Sequence, residues 1–312
     1  MMWALLALGT AVFYALHGAW SKRVSGRIGP LLAGWSLFSF AFPFLVAYLV
    51  VQGFPEIGGR FWPVWAVNAV LNVGASYLFL SALRLGDLGI TFPLLALTPI
   101  FVVPVEWVLL GGTPGPCGAV GILLVVSGVY LLNFGERRAG ILAPLGAIGR
   151  DPGGVRMLGV AVIWSVTGTL DRVAVLESSP AFYGVMLSSG VALLFLPLIW
   201  LGVRGETFPG TGGRASTEPR SGGGWLAGSA RLLAPAGRGA LLLHGLLFAA
   251  MFILQMEALN LALASYVLSI KRAGAILAVL LGYAAFREGA LGQRLAGTVV
   301  TVTGACVLVL WG

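Results

Sequence analysis

The chain has 312 residues, 58% hydrophobic and only 10% charged, where an ordinary soluble chain carries about 25% charged residues. So few polar groups cannot cover a water-facing surface, which argues against a soluble enzyme and makes a lipid bilayer the expected surroundings. The formal net charge of +8 is scattered through the loops, so it speaks for membrane orientation and against nucleic acid as a partner.

Apolar stretches of about 20 residues, the length that crosses roughly 30 Å of hydrocarbon, recur along the chain. They fall near 2–20, 29–51, 62–83, 88–110, 115–134, 157–176, 181–203, 238–261, 263–286 and 291–311. No basic residue precedes the first, and Ala19-Trp20-Ser21-Lys22 is no small-residue cleavage site, so it reads as a retained helix. The fourth carries Pro93, Pro99 and Pro104, which free the carbonyls of Gly89, Leu95 and Ile100. In lipid such carbonyls are tolerated only beside other helices or a watery cavity, so this segment is either kinked in a packed bundle or broken at a site. Residues 135–156 read as a linker. Residues 203–238, rich in glycine and without apolar period, read as a mobile loop, a connector rather than a lid. The ninth segment places Lys271 and Arg272 close to its middle, where two cations cost about 5–7 kcal/mol before compensation.

The chain repeats itself. A shift of 176 lays segments 3–5 on segments 8–10, so that Gly121 meets Gly297, Gly128 meets Gly304 and Leu95 meets Lys271. A shift of 150 lays segment 1 on segment 6, with Tyr14 on Trp164, Gly18 on Gly168 and Lys22 on Arg172. Five helices per repeat is odd, so the second repeat enters the membrane in the opposite sense. The expected fold is therefore an all-α polytopic membrane protein, ten transmembrane helices as two inverted five-helix repeats. Residues 1–134 form the first repeat and 157–312 the second, with a site near midplane between them.

Candidate substrate contacts are the polar residues at membrane depth. Lys271 and Arg272 would attract a negative group; a structural ion pair with Glu257 is the alternative. Lys271 is one of only two lysines among 19 basic residues, and ammonium and guanidinium are not interchangeable. Gln255, Glu257, Tyr77, Asn72, Thr98, Tyr14 and His17 complete the candidate set, each able instead to make a contact between helices. Glu106 is a candidate proton carrier or an interfacial acid. Cys117 and Cys306 give neither a disulfide framework nor metal-ligand spacing, and no nucleophile–base pair or phosphate loop occurs. No catalytic residue, metal or cofactor is expected.

The run Pro93-Leu94-Leu95-Ala96-Leu97-Thr98-Pro99, the run Ser269-Ile270-Lys271-Arg272, and Arg287-Glu288 before a glycine-spaced last helix resemble the EamA-type members of the drug/metabolite transporter superfamily. The resemblance covers nearly the whole chain except 203–238. It implies ten helices, inverted repeats and alternating access to a central site. The acid usual at the end of each repeat's fourth helix matches Glu288, but Gly112 stands at the paired position. In plastid sugar-phosphate carriers of the superfamily a Lys-Arg pair in the ninth helix holds phosphate, and Lys271-Arg272 is similar in position. The expected function is a secondary transporter of a small organic solute, anionic or zwitterionic, in the cytoplasmic membrane, with a homodimer as candidate assembly. The alternatives are a flippase for a lipid-linked phosphate and a scaffold without transport.

Overall fold

The computed structural model describes residues 1–28, 30–85, 94–132, 152–205, 235–274, 276 and 291–311. Among these residues the regular structure is entirely helical. The helices are α1 (Met2–Ile28), α2 (Pro30–Gln52), α3 (Phe61–Leu85), α4 (Thr98–Leu110), α5 (Pro116–Leu132), α6 (Pro152–Leu176), α7 (Pro180–Gly205), α8 (Pro235–Leu261), α9 (Ala264–Ala273) and α10 (Leu291–Trp311). Pro93, most of the expected linker (135–151), most of the expected loop (206–234) and Arg287-Glu288 lie outside the described residues.

Large apolar side chains cover the outside: Leu5, Val50, Val70, Val108, Leu193 and Val299 are all exposed. Polar side chains lie inside, among them Ser36, Asn68, Thr98, Asp171 and Gln255. Such an arrangement suits lipid, where hydrocarbon solvates the apolar face and polar groups must find protein partners. Four of the described helices are by themselves long and apolar enough to cross a bilayer. The chain is a multi-pass membrane protein.

Two helices outrun their apolar segments. α1 continues to Ile28, roughly 40 Å in all at 1.5 Å per residue, which carries its last turns beyond the hydrocarbon. α6 begins at Pro152, inside the expected linker, because proline suits a helix's first turn and its missing amide costs nothing there.

The packing obeys the repeat. α1 lies on α8 and α3 on α6; α2 lies on α8 and α3 on α7; α1 lies on α9 and α4 on α6. Exchanging the five-helix halves turns each of these pairs into the other. The pairs α2–α7 and α5–α10 map onto themselves. The α5–α10 contact is the tightest. A Cβ on Gly128 would stand 2.8 Å from the Gly297 carbonyl oxygen, and one on Gly304 would stand 2.9 Å from that of Gly121. The matched glycines thus meet crosswise, and their missing side chains let the backbones touch.

End-to-end contacts show the inversion. Trp20 Nε1 donates to the Ala240 carbonyl at 2.9 Å, tying the end of α1 to the start of α8. The corresponding tie, from the end of α6 to the start of α3, runs from the Gly58 amide to the Glu177 carbonyl at 2.7 Å. Because successive helices cross in alternate directions, these ties lie at opposite faces of the membrane.

The fourth helix of each repeat is interrupted at the same aligned place. α4 starts only at Thr98, after a turn at 96–97, and α9 ends at Ala273. The 176 shift puts Thr98 on Gly274. The expected span over 88–110 is therefore no continuous helix, for Pro99 can open a helix but cannot continue one. Gly274 is required on packing grounds, since a Cβ there would lie 2.5 Å from the Ala11 carbonyl oxygen of α1.

Candidate functional site

Pro99 removes the amide that would bond the Leu95 carbonyl. The Thr98 hydroxyl donates to that carbonyl at 2.7 Å and so satisfies it. Its oxygen then accepts from Arg272 Nη2 at 3.2 Å. The break in α4 thereby creates an acceptor that faces the last turn of α9.

Arg272 is 7% exposed. Its Nη1 donates to the Tyr14 hydroxyl at 2.9 Å, and its guanidinium carbon lies 5.6 Å from the Tyr14 ring and 5.2 Å from the Trp164 ring. Tyr14 and Trp164 are repeat-mates, so the guanidinium sits between matched aromatic faces of the two halves. Lys271 Nζ donates to Gln255 Oε1 at 2.6 Å and lies 5.0 Å from the Tyr14 ring.

A buried cation–π contact is worth up to about 2 kcal/mol. A hydrogen bond to a charged group is worth about 1.5–3 kcal/mol. These sums are enough to offset the roughly 2.5–3.5 kcal/mol that each cation costs at the centre of a span. All of the partners are neutral. Among the described residues no carboxylate lies within 4.0 Å of Lys271 or Arg272, so no ion pair offsets them there. Arg272 Nε is buried with no hydrogen-bond partner among the described residues. Only two of the five guanidinium donors are engaged there. Both cations also occupy the last turn of α9, where the carbonyl end of the helix dipole favours positive charge.

Lys271, Arg272, Gln255, Tyr14 and Thr98 are thus brought together; Glu257, Tyr77, Asn72 and His17 are not. Glu257 accepts a hydrogen bond from the Tyr48 hydroxyl on α2. Two residues from Gln255 is about 200° around a helix, so the two cannot share a face. The Glu257 ion pair considered from the sequence is absent among the described residues. Tyr77 is exposed, about 140° around α3 from Asn72. Asn72 Nδ2 donates to Asn68 Oδ1 at 3.1 Å. Asn68 in turn donates to Asp171 Oδ1 at 2.7 Å and to the Tyr183 hydroxyl, and that hydroxyl donates to the same Asp171 oxygen at 2.6 Å. His17 stacks on His244 with ring centroids 5.2 Å apart and planes 6° apart, and Ser21 Oγ bridges their Nε2 atoms at 3.0 and 2.8 Å.

Glu106 is fully buried and clamps three elements. Its Oε1 accepts from Arg172 Nη1 at 2.8 Å and from the Ala264 amide at 2.6 Å, and its Oε2 accepts from the Ser265 amide at 3.1 Å. It serves as the N-cap of α9, whose own capping position is Leu263, which has no side-chain acceptor. Its neighbours make it a structural acid.

Sequence reasoning passed over Trp164, Asp171, Tyr183, Ser21 and His244 as members of polar clusters. For Trp164 and Asp171 a signal existed, since the 150 shift sets them on Tyr14 and Ser21.

Residues 1–134 match the EamA-like transporter family. No curated protein matches the chain. A solved crystal structure is similar in fold over 99% of this chain and 96% of its own, with a TM-score of 0.67 and 20% sequence identity.

Proposed function

We propose that this chain, whose residues 1–134 belong to the EamA-like transporter family of the drug/metabolite transporter superfamily, is a secondary transporter of small organic anions or zwitterions. It resides in the cytoplasmic membrane and works by alternating access at Lys271 and Arg272. One observation carries this reading: a basic pair inside the bundle whose partners among the described residues are all neutral, with guanidinium donors that engage none of those residues. An ion pair would have cancelled the field that this arrangement preserves. A planar carboxylate or phosphate could take two parallel bonds from Arg272 while Lys271 adds a point charge. Gln255, Tyr14 and Thr98 hold the cations in position, and the faces of Tyr14 and Trp164 flank the bound group.

The test has two stages. Purified protein is screened by thermal shift against carboxylates, phosphates and amino acids, because a ligand of the folded state raises apparent stability by mass action. Compounds that stabilise it are then followed into proteoliposomes. Saturable flux that empty liposomes lack is the expected result. Stabilisation by none of the anions, or binding without flux, would remove the transporter reading.

A further inference from the structure

Three carboxylates lie within the described helices: Glu106, Asp171 and Glu257. Glu106 is paired with Arg172. Glu257 is held by Tyr48 near a helix end, where Gln52 is exposed and donates to the same phenol at 3.1 Å. Asp171 differs from both. It is 7% exposed, and no cation lies within 4.0 Å of it among the described residues. Its described donors, Asn68 and the Tyr183 hydroxyl, are neutral and both reach Oδ1. A carboxyl group inside a membrane without a cation must be held by strong donors or take up a proton, and such groups mark ion or proton paths.

The repeat places a second cluster at the equivalent position. The 150 shift sets Ser21 on Asp171, and the 176 shift sets His244 on Asn68. The contact Asp171–Asn68 between α6 and α3 is therefore built again as Ser21–His244 between α1 and α8, in the opposite half of the membrane. A serine hydroxyl has one proton and can donate to only one of the two imidazoles it bridges. The other imidazole must donate its own, so the cluster shares protons along a chain. The chain's two histidines, 227 residues apart in sequence, meet there. Lys271 of α9 touches neither cluster, its hydrogen bond going to Gln255.

We propose that Asp171 is a proton-binding site whose occupancy sets the state of the clasp between α3, α6 and α7, with His17–Ser21–His244 as its counterpart in the other half. The coupling ion of transport is then the proton, a conclusion that rests on the transporter reading above. The groups facing Asp171 are Asn68 from α3, Tyr183 from α7 and, without direct contact, Lys271 from α9. Glu106 of α4 is turned to Arg172; on α8 Glu257 is turned to Tyr48, His244 to Ser21, and Arg238 is exposed at the helix start. When Asp171 is ionised, the bonds from Asn68 and Tyr183 are charge-assisted and hold the three helices together. A proton taken from water on that side neutralises the carboxyl, weakens both bonds by about half, and loosens the clasp. Return of the proton to water restores it.

Two measurements without substrate test this. Infrared difference spectra of the reconstituted protein between alkaline and acid buffer should contain the carbonyl band of a protonated carboxyl. The chain has other carboxyl groups that also protonate in acid, so the component of the band that belongs to Asp171 should be lost in Asp171→Asn and kept in Glu257→Gln. Hydrogen exchange around Asn68 and Tyr183, taken relative to the intrinsic amide rate at each pH, should be several-fold less protected in acid for the wild type, and equally protected in both buffers for Asp171→Asn. Should Asp171→Asn fail to fold, Tyr183→Phe keeps the carboxyl and must move the pH at which the band appears. A band unchanged by Asp171→Asn or by Tyr183→Phe, or protection in the wild type that is the same in both buffers, overturns the proposal. Neither measurement needs flux, so a failed flux screen would sink the transporter reading alone, and a silent spectrum the proton site alone.

Discussion

Lys271 and Arg272 sit side by side, yet their surroundings give them different tasks. Arg272 is fixed by Tyr14, Thr98 and two ring faces, whereas Lys271 is partly exposed and, among the described residues, has one hydrogen bond, to Gln255, and one ring face, that of Tyr14. The guanidinium is the preorganised half of the site and the ammonium the adjustable half. Each of Lys271→Gln and Arg272→Gln should therefore weaken substrate binding by about 10–100-fold, the equivalent of one charge-assisted hydrogen bond. Both variants should still reach the membrane folded, because removing a buried cation with neutral partners leaves no charge stranded. Flux assays paired with gel filtration in detergent check this. Wild-type flux in both variants would refute the assignment, and loss of folding would return the pair to a structural role.

Among the elements, α9 depends most on its neighbours. It has ten residues, a leucine at its capping position, and a first turn whose amides are satisfied by Glu106 from α4. Breaking a buried ion pair by removing one partner costs about 3–5 kcal/mol, and loss of the cap adds about 1 kcal/mol more. Glu106→Ala should accordingly lower the thermal midpoint far more than Glu257→Ala, whose partner Tyr48 is neutral. Equal midpoints for the two variants would show that the clamp does not hold α9. Residues 207–222 lie outside the described residues, and their composition alone predicts that trimming them leaves transport nearly intact. Loop closure depends only weakly on length, and the stretch has no apolar pattern to dock. A trimmed protein that inserts normally but does not transport would identify the stretch as a lid.

For the whole molecule the open quantity is orientation. Fifteen of the 19 basic residues fall in loops after odd-numbered segments and two, Arg60 and Arg172, after even-numbered ones. Positive residues favour the cytoplasmic side, so this count puts both termini outside. Resemblance to the EamA-type carriers implies termini inside. Arg172 lies in α6 and eight of the fifteen also lie within described helices, so the count outside them is seven against one, with the same sign. The expectation is that a reporter fused to the C-terminus and active only in the cytoplasm stays silent. A strong signal from it would overrule the charge count.

The sequence by itself determined the helical class, the membrane as solvent and the ten segments, because bilayer thickness imposes a length on apolar runs that no tertiary contact can alter. It also carried the repeat, and with it the equivalence of Tyr14 and Trp164, but not their meeting around one guanidinium. Pro93, Pro99 and Pro104 left a kink and a break as alternatives, and the structure has the break before Pro99 while α4 runs on through Pro104. Only the tertiary structure decided which polar groups share a space. Gln255 and Glu257 are two residues apart yet face different helices, and His17 and His244 are 227 residues apart yet stack. Side-chain direction is fixed by rotation about the helix axis, but what lies in that direction is fixed by packing between helices. Packing between membrane helices is governed by small residues and scattered hydrogen bonds that leave no period in the sequence.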